Sequence, residues 1–351
     1  MANHPSILSR TISTPIILVG VLLVIALVAV GAGSGPFTRT IVEMFIRVMI
    51  VVGLYTFIGN SGVISFGHIG FMCLGAYATA WFTIPPAMKK ISLRGLPDFI
   101  AQHQLPFIVS VILATLFAGI FAYIFGRILM RLSGIAASIA TFAMLAVINS
   151  VYSNWESVTG ATSSIVGIPM RTGLWTSFIG AVIAVIAAYA YAISRSGLAL
   201  RAARDEATAA SASGVDIARE RLRAFVISGL IIGFAGALYA HFLGVVNPDA
   251  FYLGLTFVTL SMLVVGGMNS LSGAVLGVVV LSLIIQVLRW LEKGVTLGSS
   301  TISIPNGTQE ISIGIIMIVI LMFRPAGLTR NTELAWKGWP FSRVSENNRS
   351  P

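Results

Sequence analysis

"PIILVGVLLVIALVAVGAG", Pro15 to Gly33, runs through nineteen residues without one charged side chain. A bilayer's hydrocarbon core takes about 20 apolar residues of helix, and in lipid a backbone must satisfy its polar groups within its own segment. The stretch therefore reads as a membrane-spanning helix. "ISIGIIMIVILMF", Ile311 to Phe323, repeats the character near the other end. Across the chain 56% of residues are hydrophobic and only 10% charged, against about 25% charged in soluble domains. Too few charges remain to cover a water-facing globule. The apolar runs are continuous rather than alternating, which argues against a β-barrel. The class is an all-α polytopic membrane protein.

Hydrophobic windows place ten spans, near 15–33, 41–59, 69–87, 107–126, 133–152, 175–193, 223–246, 255–268, 273–291 and 311–323. The eighth is too short to cross alone and meets the ninth through "GGMNSLSG", so a broken or tilted pair is expected there. The first reads as a start-anchor rather than a cleaved signal, because no A-x-A site follows it. Residues 1–330 form one transmembrane domain in this reading, and 331–351 a flexible tail.

The net charge of +10 could suggest nucleic acid, but no soluble module interleaves basic residues with aromatics. Topology explains the excess more simply. With the N-terminus inside, fourteen Arg and Lys fall in inner segments and seven in outer ones. This bias orients the chain with both termini cytoplasmic. Cys73 is the only cysteine, so no intrachain disulfide or thiolate cage can form. Four scattered histidines make no HExxH or similar cluster, and no metal or catalytic centre is expected.

Two regions resemble each other. "VVGLYTFIGNSGVISFGHIGFMCLGAY" (51–77) and "SMLVVGGMNSLSGAVLGVVV" (261–280) each pass from an apolar run through a Gly/Asn/Ser break into a Gly-rich helix. Interrupted helices at corresponding places in two halves point to a substrate path, and such an internal pseudo-repeat is expected here. Glycine for close helix packing is the plainer alternative. Asn60, Ser61, Ser65 and His68 at the first break, with Asn269 and Ser270 at the second, are the candidate path residues. His68 could bond at a narrow point of the path or cap the backbone freed by the break.

The most polar run is "LALRAARDEATAASASGVDIARERLRAF", Leu198 to Phe225. Its Ala, Leu, Arg and Glu favour a helix over 198–212. Gly214 then breaks it, and Asp216 can cap a second short helix through Arg223. In the topology above this is the longest cytoplasmic loop, spanning about 194–222, and its surface is shaped to dock something soluble.

Here the chain resembles the permease subunits of ABC importers for branched-chain amino acids. "GLALRAARDEATAASASGVDI" followed by "RLRAFVISGLIIGFAGALYA" is similar to that family's coupling loop and next helix. Glu206, Ala207, Ala209, Ala210 and Gly214 match the ATPase-docking core. Gly59, Gly62, Ser65, Gly67 and His68 match a second segment, and "GGMNSLSGAVLG" and "LMFRPAGL" two more, in order from about residue 41 to 328. The resemblance implies the longer of two non-identical permeases in a bacterial inner membrane. It implies a second permease, two ATP-binding subunits and a periplasmic solute-binding protein as partners, besides membrane lipid. The chain has no G-x-x-x-x-G-K-[ST], so ATP would be bound by the partner ATPase rather than here. Arg204, Asp205, Glu206, Ala207, Ala210 and Gly214 are the expected coupling contacts. Sugar permeases of the superfamily carry a Gly-Gly-Ile-Asp-Leu-Ser segment at the first break, and this chain does not. "GMNS" at 267–270 departs from the commoner Gly-Met-Gly-Thr, and members of the group also carry urea and short amides, so the solute is left open between these.

Glu43 and Arg47 lie one helical turn apart in an apolar run, where pairing is the inexpensive arrangement. They read as a brace near the outer surface in preference to a path-lining pair. Asp249 and the segment 88–106 face outside and could meet a binding protein, the plainer reading of each being an ordinary loop. An ion-coupled transporter or intramembrane enzyme would need more buried acids or a catalytic cluster, and only Glu43 and His68 are available, on different helices.

Overall fold

The computed structural model describes residues 13–292, 295–297, 300–302, 308–324, 326–330 and 332–334. These residues are overwhelmingly helical, as composition requires. Among the described residues, eight helices are long and apolar enough to cross a membrane.

Helix α1 (Ser13–Ala32) leads into α2 (Gly35–Ser61), 27 residues long and the most buried of the long helices. Then come α3 (His68–Thr83), the short α4 (Pro86–Ser92) and α5 (Asp98–Ala101), and the long α6 (Phe107–Leu129) and α7 (Gly134–Asn154). The turn α8 (Glu156–Thr159) precedes α9 (Leu174–Ile193), after which α10 (Arg195–Asp205) and α11 (Ala207–Ala212) make the polar stretch. Helix α12 (Ile217–Leu243), a 3-10 turn at Pro248–Phe251, α13 (Leu253–Gly266), α14 (Leu271–Glu292) and α15 (Thr308–Phe323) complete the order.

Three expectations change. The third span is only 16 residues of helix, about 24 Å, because α3 ends at Thr83, where Ile84 turns extended ahead of Pro85 and Pro86. The eighth span is long enough after all, since the 3-10 turn extends α13 into a run from Pro248 to Gly266. The polar stretch does not form one helix over 198–212, and Asp216 does not start a short helix ending at Arg223. Glu206 breaks the first with extended backbone (φ −152, ψ 102). Asp216 does cap, accepting from the Arg219 amide at 3.1 Å, but with no breaker after Arg223 the helix runs on through the seventh span.

Burial centres on α2, α3 and α12. Where α3 crosses α12, a Cβ on Gly75 would collide with the Gly233 carbonyl, and one on Gly236 with the Met72 carbonyl. Small residues that bring backbones together are how helices gain packing without a hydrophobic driving force between them.

Contacts tie the loops into two opposite ends. At one end Trp81 Nε1 donates to the Val158 carbonyl (3.0 Å), Gly95 to Ser157 (2.8 Å) and Asn247 Nδ2 to Thr162 (3.0 Å). Strands β1 (Ile165–Val166) and β2 (Val245–Val246) pair antiparallel there. Lys89 is buried, donating to the carbonyls of Ile100 and His103 at 2.9 and 2.7 Å. Burial pushes its ammonium below the usual lysine range, and the two carbonyls hold segment 88–106 as a folded cap. The Glu43 and Arg47 pair (2.5 Å) gains a third member, Arg289 of α14, at 3.4 Å from the other carboxylate oxygen. That ties α2 to α14 as a brace. The opposite end gathers residues 62–67, 194–216, 267–270, 326–330 and 332–334, and there the candidate site lies.

Candidate functional site

Both helix breaks form at this second end, and they touch. Helix α2 stops at Ser61 because Gly62 takes left-handed backbone (φ +71), its amide bonded to the Ile58 carbonyl. The second break turns at Gly267 (φ +122) after α13. Gly59 lies so near this turn that a Cβ there would stand 2.7 Å from the Met268 carbonyl.

The first break is satisfied from behind. Ser138 Oγ donates to the Ile64 carbonyl (2.6 Å), and the Phe66 amide donates to Thr141 Oγ1 (3.3 Å), both on α7. Ser61 Oγ accepts from the Val63 amide at 3.2 Å. Ser65 Oγ accepts from the Gly67 amide (3.4 Å) and bonds His68 Nδ1 (2.7 Å). His68 is fully buried, its ring centroid 5.0 to 5.8 Å from those of Phe57, Phe71 and Phe225. Asn60 is also fully buried, donating to the Thr56 carbonyl (3.0 Å). Asn60 Oδ1 and His68 Nε2 have no hydrogen-bond partner. Two such atoms at one break are unusual, because most buried side-chain polar atoms are paired.

The second break is closed by chain from much later in the sequence. Ser270 is buried, its Oγ donating to the Thr332 carbonyl (3.1 Å) and accepting from the Gly273 amide (2.9 Å). Glu333 accepts from the amides of Leu271 (2.8 Å) and Ser272 (3.0 Å) and from Ser272 Oγ (2.7 Å). This is a helix N-cap supplied from outside the helix: a carboxylate on the first amides of α14, where the dipole favours negative charge. Sequence reading placed Glu333 in a flexible tail and gave it no role. Of that tail, 331 and 335–351 lie outside the described residues. Asn269, by contrast, reaches the surface.

Arg204 joins the polar stretch to both breaks. Its Nη1 donates to the Gly59 carbonyl in the last turn of α2 (2.5 Å) and to Asn269 Oδ1 (3.4 Å), and its stem covers Gly62. A guanidinium is suited to this, with several donors in a fixed fork and a cation at a helix C-terminus. Asp205 holds its other edge at 3.1 Å. Leu200 and Ala203 of α10 are buried, so Arg204 leaves a helix that is itself anchored.

Helix α11 stands outward from this anchor. Glu206 caps it, accepting from the Thr208 amide at 3.2 Å. Ala207, Thr208, Ala209, Ser211 and Ala212 are exposed, while Ala210 turns inward. Gly214 (φ +86) makes the turn into α12 with no neighbour within reach of a Cβ. The outward face is therefore small and flat beside a charged margin.

Beside the two breaks runs a groove of about 540 Å³, walled by Ile58, Phe66, Phe257, Val258 and Met317, with Ser261 among its few polar groups. Periodicity alone did not bring these residues together.

A family described as "Branched-chain amino acid transport system / permease component" matches residues 37–321. The chain belongs to that family. LivM, a high-affinity branched-chain amino acid transport system permease protein of Escherichia coli, is 24% identical over 92% of this chain and 77% of its own length. LivM of Salmonella typhimurium is 24% identical over 81% of this chain and 67% of its own. LivH of the same organism, also a branched-chain permease protein, is 23% identical over 82% and 92%. The likeness to LivM agrees with the longer-permease reading. An autoinducer 2 permease, LsrC of an Enterobacter species, is 30% identical over 41% of this chain and 43% of its own. No solved structure matches. This chain is therefore an all-α polytopic membrane protein in which the polar stretch and both breaks form one contiguous cluster.

Proposed function

We propose that the chain is a permease subunit of an ATP-driven importer in a bacterial inner membrane, with both termini cytoplasmic. In this reading it works with a second permease, two ATP-binding subunits and a periplasmic solute-binding protein. ATP is bound by the partner ATPase, and the chain itself moves solute rather than performing chemistry. The observation that carries the reading is Arg204, one side chain bonded to the ends of both breaks. The ATP-binding subunit docks on α11 at Ala207 and its neighbours, with Arg204, Asp205 and Glu206 at the margin, Ala210 seating the helix and Gly214 setting the turn. Its displacement then reaches both breaks through the short, anchored α10.

The solute passes the breaks. Asn269 faces the surface there, while Asn60, Ser61, Ser65, His68 and Ser270 hold the shape of the path from behind. Unpaired Asn60 Oδ1 and His68 Nε2 are the atoms ready to take new partners when the first break moves. The neighbouring apolar groove suits an aliphatic side chain, which supports branched-chain amino acids. The local likeness to an autoinducer 2 permease supports a second reading, another small polar solute by the same mechanism. Proteoliposomes carrying the assembled complex should take up leucine only with ATP inside and the binding protein outside. Uptake by this chain alone, driven by an ion gradient, would contradict the importer reading.

A further inference from the structure

A cluster of arginines at the same end of the molecule takes no part in the site above. Arg127 and Arg131 close the end of α6, and Arg219 and Arg223 lie at the start of α12, together lining a groove of about 680 Å³. The only acid in its wall is Asp216, which pairs with Arg219 at 3.5 Å. Arg223 pairs with Glu220 at 2.6 Å. Arg127 stacks on the Tyr123 ring, 5.7 Å to the centroid. No carboxylate lies against Arg127 or Arg131 among the described residues, so positive charge is in excess.

What lies beyond the arginines is apolar. Leu222, Val226 and Ile227 wall the inner part of the groove. Farther along the same flank, past the contact of Leu230 with Gly119, lies a second trough of about 280 Å³ lined by Ile112, Leu116, Ile183, Leu230 and Phe234, with almost no polar surface. Leu116, Ile120 and Tyr123, at helical spacing above Arg127, are 51%, 58% and 47% exposed. That stripe lies on the flank of a helix long and apolar enough to span a membrane.

A cationic pocket at a helix end, with an apolar trough farther along the same spanning surface, matches one chemistry. We infer that this seam binds an anionic phospholipid, with its phosphate among Arg127, Arg131, Arg219 and Arg223 and an acyl chain laid against Leu116 and Leu230. Basic pockets between spanning helices are built for such headgroups. Guanidinium forks match phosphate oxygens better than ammonium does. A soluble acidic protein could meet the arginines but not the trough, which lies at membrane depth. The site is separate from the breaks and does not depend on the transport reading.

The test uses the full-length chain in detergent, exchanged with dioleoylphosphatidylglycerol or dioleoylphosphatidylcholine and read by native mass spectrometry. The wild type should retain phosphatidylglycerol preferentially. The double variant Arg127→Gln/Arg131→Gln should lower that affinity on the order of 30-fold, about fivefold per arginine, and leave phosphatidylcholine unchanged. Equal retention of both lipids by the wild type, or unaltered phosphatidylglycerol binding by the variant, would overturn the site. Should the variant fail to fold, the wild type's melting temperature decides: phosphatidylglycerol should raise it more than phosphatidylcholine, and equal shifts reject the proposal. Loss of a co-purifying ATP-binding subunit from the variant, with phosphatidylglycerol retained as before, would reassign the arginines to protein docking.

Discussion

Two glycines of the site differ in what surrounds them, and that difference predicts different damage. Gly214 has left-handed backbone but open space, so Gly214→Ala carries only the conformational penalty, about 1–2 kcal/mol. Gly59 has ordinary helical backbone, but a Cβ would meet both the Tyr55 ring at 2.6 Å and the Met268 carbonyl at 2.7 Å. Gly59→Ala must therefore push the two breaks apart. ATP-dependent uptake should fall much further for Gly59→Ala than for Gly214→Ala at equal amounts of inserted protein, and the reverse order would mean that break contact is unimportant. Arg204 and Gly214 could be picked out from sequence as candidates, because a charge or glycine in an unusual place stands out locally. What Arg204 touches could not. Its partners lie 145 and 65 residues away, and no local pattern encodes that.

At the scale of elements, composition located the spans well and their ends less well. Apolar windows see length and hydropathy, so the third span looked complete through Ala87 although the turn at Ile84 and the prolines after it end α3 at 16 residues. The cap on α14 was out of reach for a related reason: Glu333 is about 60 residues from the amides it accepts from, beyond any capping-box spacing. That cap makes its own prediction. Glu333→Gln keeps the size but removes the charge and one acceptor, and a helix cap contributes typically about 1 kcal/mol. Amide exchange at 271–273 should quicken roughly fivefold by local opening, while exchange in the core of α12 stays as it was. Unaltered protection at 271–273 would show that the closing segment does not hold the break. The small-residue contact of α13 with α14 is less forgiving. A Cβ at Gly277 would strike the Met262 carbonyl, so Gly277→Leu should reduce folded, membrane-extracted protein outright.

For the molecule as a whole, charge bias and contact geometry converge on two distinct ends. The arginine-rich end carries both breaks and the polar stretch, and the other carries the folded cap around Lys89. Placing the first in the cytoplasm predicts the labelling pattern of single cysteines. Ser211→Cys and Ser92→Cys are both at exposed positions, and native Cys73 is buried and should stay silent. In intact cells a membrane-impermeant maleimide should label position 92, and position 211 only after permeabilisation; the opposite pattern would invert the topology. The central claim is that Arg204 carries ATPase movement to both breaks. It is tested most directly by the ratio of leucine transported to ATP hydrolysed in the reconstituted complex, compared between wild type and Arg204→Gln. The bond to a partner carbonyl is lost but the docking face on α11 is untouched, so the variant should still bind the ATPase and hydrolyse ATP. Its transport per ATP should fall on the order of tenfold, as expected for losing a charged hydrogen bond. A ratio equal to that of the wild type would contradict the account.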